Sequence, residues 1–231
     1  MADSSQTRFG AAKSEARDVR LATVLRSPGL RPRALELRFP KAASTASTTF
    51  WGVLVETERL LLRDWRASDE APFAAMNADP EVTRYLRGPM SRADSDELLA
   101  RIRGHWQQHG YGLYAVEVKE SGAFAGFVGL AIPSFLPEVL PAVEVGWRLV
   151  RDHWGKGYAT EGARASLAHG FGELGLRRII SIIDPRNIAS VRVAQRLEMT
   201  RGRDRIHPVT RARLAVYAKN AEDAGSQRRG S

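Results

Sequence analysis

Between residues 143 and 161 the chain reads Val143-Glu144-Val145-Gly146-Trp147-Arg148-Leu149, then Val150-Arg151-Asp152-His153, then Trp154-Gly155-Lys156-Gly157-Tyr158-Ala159-Thr160-Glu161. The first seven residues alternate strictly. Val143, Val145, Trp147 and Leu149 share one face of a strand, and Glu144, Gly146 and Arg148 share the other. The last eight open a helix whose apolar face runs Ala159, Ala163, Leu167, Phe171 and Leu174, with Gly175 placed to terminate it. A Gly-x-Gly turn thus joins a strand to a helix. Glycines at 155 and 157 permit backbone dihedrals closed to other residues and remove side chains that would block an anion. The free N–H groups of the first helical turn, at the positive end of the helix dipole, are then available to a phosphate. The same bend also serves as a simple connector, and Gly-x-Gly alone does not decide between the two.

Two common phosphate loops are excluded. A dinucleotide fingerprint needs a third glycine where Thr160 stands, and the ATP-binding loop needs Gly-Lys-Ser/Thr where Gly157 is followed by Tyr158.

Elsewhere the pattern predicts a strand over Arg59–Arg63 and a helix over Asp69–Asn77 capped by Ser68. Ser91 and Asp94 form a capping box, which starts a second helix with Leu98, Leu99, Ile102 and Trp106 on one face. Tyr114–Val118 and Phe124–Ile132 read as a hairpin turning at Glu120-Ser121-Gly122. Ile179–Ile183 is a buried strand, Asn187–Leu197 a helix, and Arg213–Ala218 a last strand. The order is strand, two helices, an antiparallel meander, then strand, helix, strand, helix and strand, which defines a mixed-sheet α/β domain over residues 53–219. Residues 1–52 show no sustained period and end in the low-complexity run 42–49, so they are expected to be a disordered basic tail. Residues 220–231 are expected to be a flexible tail.

Of the 231 residues, none is cysteine, which excludes disulfides, thiolate zinc sites and a cysteine nucleophile. No apolar run reaches the ~20 residues of a membrane helix and no secretory leader is evident, so the cytoplasm is the expected compartment. The net charge of +9 raises the question of nucleic acid. Residues 1–52 carry nine Lys/Arg against four Asp/Glu, about half the excess; the rest is spread, with a cluster at Arg201, Arg203, Arg205, Arg211 and Arg213. A dispersed excess in an Arg-rich chain favours a solvated surface over an RNA footprint. His153 and His169 have no metal-ligand spacing and read as surface residues; no metal site is expected. The apolar loop Pro133–Pro141 should pack against something, at the mouth of a substrate site or on a partner chain.

The runs Val143–Leu149 and Trp154–Glu161, followed by Asn187-Ile188-Ala189-Ser190, resemble the GNAT acetyltransferases. The branch they are most similar to is the ribosomal-protein-alanine N-acetyltransferases. Glu56-Thr57-Glu58-Arg59-Leu60, Leu62-Arg63-Asp64-Trp65, Asp79-Pro80 and Gly126-Phe127-Val128-Gly129-Leu130 add to the resemblance, which spans about residues 53–219. It implies the GNAT fold, a mostly antiparallel sheet with flanking helices and a splayed strand pair. It also implies an acyltransferase that moves the acetyl group of acetyl-CoA to a primary amine in a ternary complex. Gly155, Lys156, Gly157, Tyr158 and Ala159 would hold the pyrophosphate. The strand edge at Trp147 and Leu149 would pair with the pantetheine arm, and Asn187 would lie beside that arm while capping its helix. Glu144 would be the general base, the alternative being a carboxylate paired with Arg148. Ser190 would donate to the departing sulfur, or simply help cap its helix. The chain departs from the family pattern at Asp152, at Glu198 within Leu197-Glu198-Met199, and at Ala194, where many members carry a tyrosine. Over 211–220 it lacks the branch's customary histidine. The acceptor stays open: a ribosomal or other protein N-terminus, a lysine, a polyamine or a drug-like amine, handled by a monomer or a homodimer. Two rival readings stand beside catalysis, a non-catalytic acetyl-CoA-binding module and an RNA- or ribosome-associated protein.

Overall fold

A computed structural model describes residues 53–225; the tail expected over 1–52 and residues 226–231 lie outside the described residues. In chain order the elements are β1 (Val53–Glu56), β2 (Leu60–Arg63), α1 (Glu70–Ala78), α2 (Pro80–Thr83), α3 (Arg92–His109), β3 (Leu113–Val118) and β4 (Phe124–Ala131). These are followed by β5 (Glu144–Leu149), α4 (Tyr158–Gly172), β6 (Arg178–Ile183), α5 (Ile188–Arg196), β7 (Thr200–Arg201), β8 (Arg205–Ile206), β9 (Arg213–Asn220) and α6 (Ala221–Gly225). The strands form one sheet in the order β1-β2-β3-β4-β5-β6-β9-β7, with β8 paired to β9. Neighbours are antiparallel except β5 and β6, which are parallel.

The period-2 pattern gives the sheet two buried faces. Leu60, Leu62, Tyr114, Val116, Val128, Leu130 and Val145 point to the side covered by α4 and α5, where Ala163, Leu167, Val193 and Ala194 meet them. Ala115 and Phe127, one residue out of step, join Trp65, Phe73, Met76, Leu99 and Ile102 beneath α1 and α3 on the other side. Each fully buried Leu, Val or Phe contributes about 1.5–3 kcal/mol relative to exposure, so these two clusters outweigh any surface pairing.

Most predicted elements are present, with differences at their ends. Ser91 and Asp94 make the reciprocal capping box of α3, and Gly110, at φ +72°, ends that helix. Ser68 does not cap α1; it lies in a 3-10 turn over Ala67–Asp69. Asp69 holds the position before α1 without a side-chain bond to the helix; its carboxylate accepts from Arg66 N at 2.7 Å and from Arg63 Nη1 and Nη2 at 2.7 and 2.9 Å. Arg63 also donates to Glu117 at 2.6 Å, making a buried charged cluster under the edge of the sheet. Helix α4 ends at Gly172, and Gly175, at φ +63°, turns the chain back. The predicted first strand is the second half of a hairpin with β1, and short strands β7 and β8 precede β9. The last strand continues to Asn220 and is followed by α6, so residues 220–225 are structured rather than tail. Among the described residues no helix is long and apolar enough to cross a membrane.

Candidate active site

Strands β5 and β6 pair at a single position, Glu144 with Ile180, and then diverge. One bond at this joint runs from Ile180 N to Val143 O at 2.9 Å. Along a strand the hydrogen-bonding groups alternate between edges, so beyond the joint the N–H and C=O of Trp147 and Leu149 face the opening. The opposite edge of β5 is fully engaged with β4. Within the opening, Leu149 O accepts from Trp154 Nε1 at 2.9 Å, which leaves its N–H and both groups of Trp147 for another partner.

The divergence widens into a cleft of about 910 Å³. One wall is Trp147, Arg148 and Leu149. A second is the glycine turn and first turn of α4, from Gly155 and Gly157 to Glu161. A third is the start of α5 with Asn187 and Ser190, and a fourth is α2 and the residues after it, including Tyr85 and Leu86. Gly155 and Gly157 have φ of +75° and +83°, conformations that L side chains rarely adopt. A Cβ at Gly155 would meet nothing within 4 Å, so that side chain would project into open space. Gly157 is the N-cap of α4, and the amides that follow it have no preceding turn to bond to. Thr160 Oγ1 and His153 Nδ1 are buried without a hydrogen-bond partner in residues that line or adjoin this turn.

The turn is braced from β2. Arg59 Nη1 donates to Lys156 O at 2.9 Å, its Nε and Nη2 reach Glu161 Oε2 at 2.7 and 2.6 Å, and its guanidinium lies 5.0 Å from the Tyr158 ring centroid. Thr57 Oγ1 and Arg59 N donate to the other Glu161 oxygen at 2.6 and 2.8 Å. Burial pushes the Glu161 carboxyl up, but these bonds outweigh it and hold the group below its usual range.

Glu144 stands at the root of the divergence rather than on the cleft wall. Its Oε1 accepts from Ile182 N at 3.1 Å, replacing a ladder bond that the splay has removed. Burial raises its pKa to about 7, the Ile182 bond opposing only in part. It is not paired with Arg148: Arg148 Nη1 donates to Asn77 Oδ1 at 2.6 Å instead. That overturns the alternative in which a surface ion pair explains both residues.

Ser190 and Trp147 come together, Trp147 Nε1 donating to Ser190 Oγ at 3.3 Å. Asn187 caps α5 by accepting from Ser190 N at 3.1 Å. Gly155, Gly157, Tyr158 and Ala159 line the cleft, whereas Lys156 does not; its side chain is exposed and its carbonyl is held by Arg59. His153 is half-buried on the cleft wall, not a surface residue, and burial followed by the charge of Lys156 holds its pKa below the usual value. The loop 133–141 contributes nothing to the cleft. Phe135 stacks on His207 at 5.6 Å and Arg205 reaches Glu138 at 3.4 Å, so the loop rests on the β8–β9 hairpin. Sequence reasoning missed Arg59, Thr57 and Glu161 as the brace and Arg148 as a cleft residue.

Comparison with known proteins places the chain in a family. The model of the acetyltransferase (GNAT) domain matches residues 59–200, and the chain belongs to the GNAT acetyltransferase family, an acyltransferase on a mixed α/β fold. Bacillus subtilis (strain 168) YkkB is 35% identical over 144 residues, covering 62% of this chain and 83% of that protein. The acetyltransferase from Agrobacterium tumefaciens str. C58 superposes with a TM-score of 0.65 at 25% identity, over 77% of this chain and 99% of its own. RimL, a ribosomal L7/L12 α-N-protein acetyltransferase solved with coenzyme A, has the same fold at a TM-score of 0.59 and 19% identity. That match covers 72% of this chain and 97% of RimL.

Proposed function

We propose that this protein transfers the acetyl group of acetyl-CoA to a primary amine by direct attack in a ternary complex. The observation that carries this is the one-position pairing of β5 and β6, which opens strand-edge amides at Trp147 and Leu149 beside the cleft that the 155–160 turn also lines. The chain fits such a ligand. The turn has the glycine backbone an oxyanion needs, the orphaned hydroxyl of Thr160 lies beside it, and Arg164, Arg192 and Arg196 line the same cleft. Bound there, acetyl-CoA would supply an activated acyl group as a thioester.

The chain's own residues supply the rest. The amides from Gly157 to Thr160 hold the diphosphate; the N–H and C=O of Trp147 orient the arm along the open edge. Fixing both reactants can account for about 7–11 kcal/mol of the barrier. Glu144, with a pKa of about 7, is suited to take a proton from an α-amino group of pKa about 7.7–8.0, directly or through a water chain from its recessed place. Ser190, whose oxygen already accepts from Trp147, keeps its own proton free to donate toward the leaving sulfur. The general likeness to the N-terminal acetyltransferase branch supports a protein N-terminus as acceptor, with small amines as the competing class. The test is a thiol-release screen of acetyl-CoA against peptide N-termini and small amines, alongside calorimetry with coenzyme A. Turnover on an amine supports transfer. Binding without turnover on any amine would instead favour a non-catalytic acetyl-CoA module, and no heat with coenzyme A would sink both.

A further inference from the structure

Arg148 shares its face of β5 with Gly146 and Glu144, and no countercharge among the described residues answers its own. Its Nη1 donates to Asn77 Oδ1 at 2.6 Å and lies 4.0 Å from Met90 Sδ; its guanidinium stands 5.2 Å from the Phe127 ring centroid. Every one of these neighbours is neutral. No carboxylate among the described residues reaches it. Burial without a countercharge lowers its pKa to about 10, so it is still a cation at neutral pH. A half-buried cation left uncompensated is destabilising, which makes its retention a question about ligands.

The group is also held in place. Asn77 is fully buried and donates its own Nδ2 to Ser95 Oγ at 2.8 Å, so its carbonyl oxygen is aimed at the guanidinium. Among the described residues Nε and Nη2 of Arg148 have no hydrogen-bond partner, yet they are not sealed away. The buried side-chain nitrogens and oxygens without partners among the described residues are Tyr111 OH, His153 Nδ1 and Thr160 Oγ1 only. Arg148 lines the cleft, so these two donors open into it. Toward Glu144 the way is clear: a Cβ on Gly146 would meet nothing within 4 Å. Four residues along a strand separate Glu144 from Arg148, about 13 Å between Cα atoms.

Resting on the acetyltransferase assignment above, we propose that Arg148, fixed by Asn77, selects acceptors whose reacting amine is followed by a carboxylate, namely peptide N-termini with Asp or Glu at the second or third position. The strip over Gly146 accommodates two to three extended residues, at about 3.3–3.6 Å each, between the base and the fork. The planar guanidinium offers the remaining two donors side by side, the geometry that grips a carboxylate.

The experiment compares Ala-Ala-Glu-amide with Ala-Ala-Gln-amide, and Ala-Glu-Ala-amide with Ala-Gln-Ala-amide. It uses thiol release for kcat/KM and calorimetry onto the full chain saturated with coenzyme A. In at least one pair the acidic member should be favoured about 10- to 100-fold in both readings, as for a charge-assisted hydrogen bond to a desolvated arginine. Arg148→Met should bring the acid-to-amide ratio to about one, and Arg148→Lys should restore part of it. Asn77→Asp, which gives the fork an internal carboxylate, should also erase the ratio. Ratios within twofold in the wild type for both pairs, or no binding of any acidic peptide to the coenzyme complex, overturn the proposal. So does an Arg148→Met effect that falls on coenzyme affinity instead of the ratio, which would assign Arg148 to the coenzyme. Failure to bind coenzyme A at all would instead strike the acetyltransferase assignment, a result the same calorimetry separates.

Discussion

Trp147 Nε1 lies 3.3 Å from Ser190 Oγ, joining the open edge of β5 to the first turn of α5 across the mouth of the splay. A serine whose oxygen accepts from an indole has its lone pair engaged and its hydrogen pointing elsewhere, which suits a donor. Ser190→Ala is therefore expected to lower kcat about tenfold while changing coenzyme affinity little. Trp147→Phe should reproduce part of that loss. Because the two act through one bond, the double variant should be less impaired than the product of the singles, which steady-state kinetics on all four proteins will read. Full additivity would show that the bond is incidental to the chemistry.

Glu144 gives a prediction in pH. Its carboxyl has a pKa of about 7 in the folded chain, above the 4.5 of a solvated glutamate, because burial favours the protonated form. Activity should rise with pH through an inflection near 7, and Glu144→Gln should lower kcat by about 10²- to 10⁴-fold while leaving coenzyme binding intact. The sign for stability is opposite. The native state holds the proton more tightly than the unfolded one, so stability falls as pH rises from about 4.5 to about 7, by on the order of 3 kcal/mol. Glu144→Gln, whose amide oxygen still accepts from Ile182 N, should flatten that slope. Urea titrations of both proteins across this range will show it; parallel curves would remove the buried carboxylate from the account.

Gly157→Glu should abolish binding of coenzyme A. The φ of +83° is unfavourable for any side chain, the new Cβ would lie 3.3 Å from Arg59 Nη2, and the carboxylate would stand where an anion is expected. Gly157→Ala should weaken binding by less. Calorimetry with coenzyme A measures both, and a thermal melt checks that the fold survives.

Asp69→Ala is a test of stability away from the cleft. It would leave Arg63, which is 3% exposed, facing only Glu117, and removing one partner of a buried ion cluster typically costs about 3–5 kcal/mol. Chemical denaturation should show a loss of that order, with coenzyme affinity of the folded fraction unchanged. A loss under about 1 kcal/mol would mean that water reaches the cluster.

Much of this architecture was legible because its signals are local. The alternation over 143–149, the glycines at 155 and 157, and the Ser91–Asp94 box each act within a few residues. What was missed depends on distant partners. Asp69, not Ser68, stands before α1, and its carboxylate is held by Arg63, which only the fold brings opposite it. The alternative pairing of Arg148 with Glu144 rests on their spacing alone, whereas the Arg148 bond goes to Asn77, 71 residues away in the chain. His153 looked like a surface residue because nothing in the sequence shows that a cleft passes it. The short strands β7 and β8, two residues each, carry too little pattern to be read.

The single joint between β5 and β6 gives the sheet a seam that the protein leaves unsewn. A linear ligand lying in that seam would act as a surrogate strand, knitting β1–β5 to β6, β9 and β7. Occupancy and rigidity are then one quantity: stability should climb with ligand concentration as RT ln(1 + [L]/Kd), and amides on both banks of the seam should slow their hydrogen exchange together. Each release of product would undo the stitch, so the resting enzyme between turnovers is the most loosely bound form of its own scaffold.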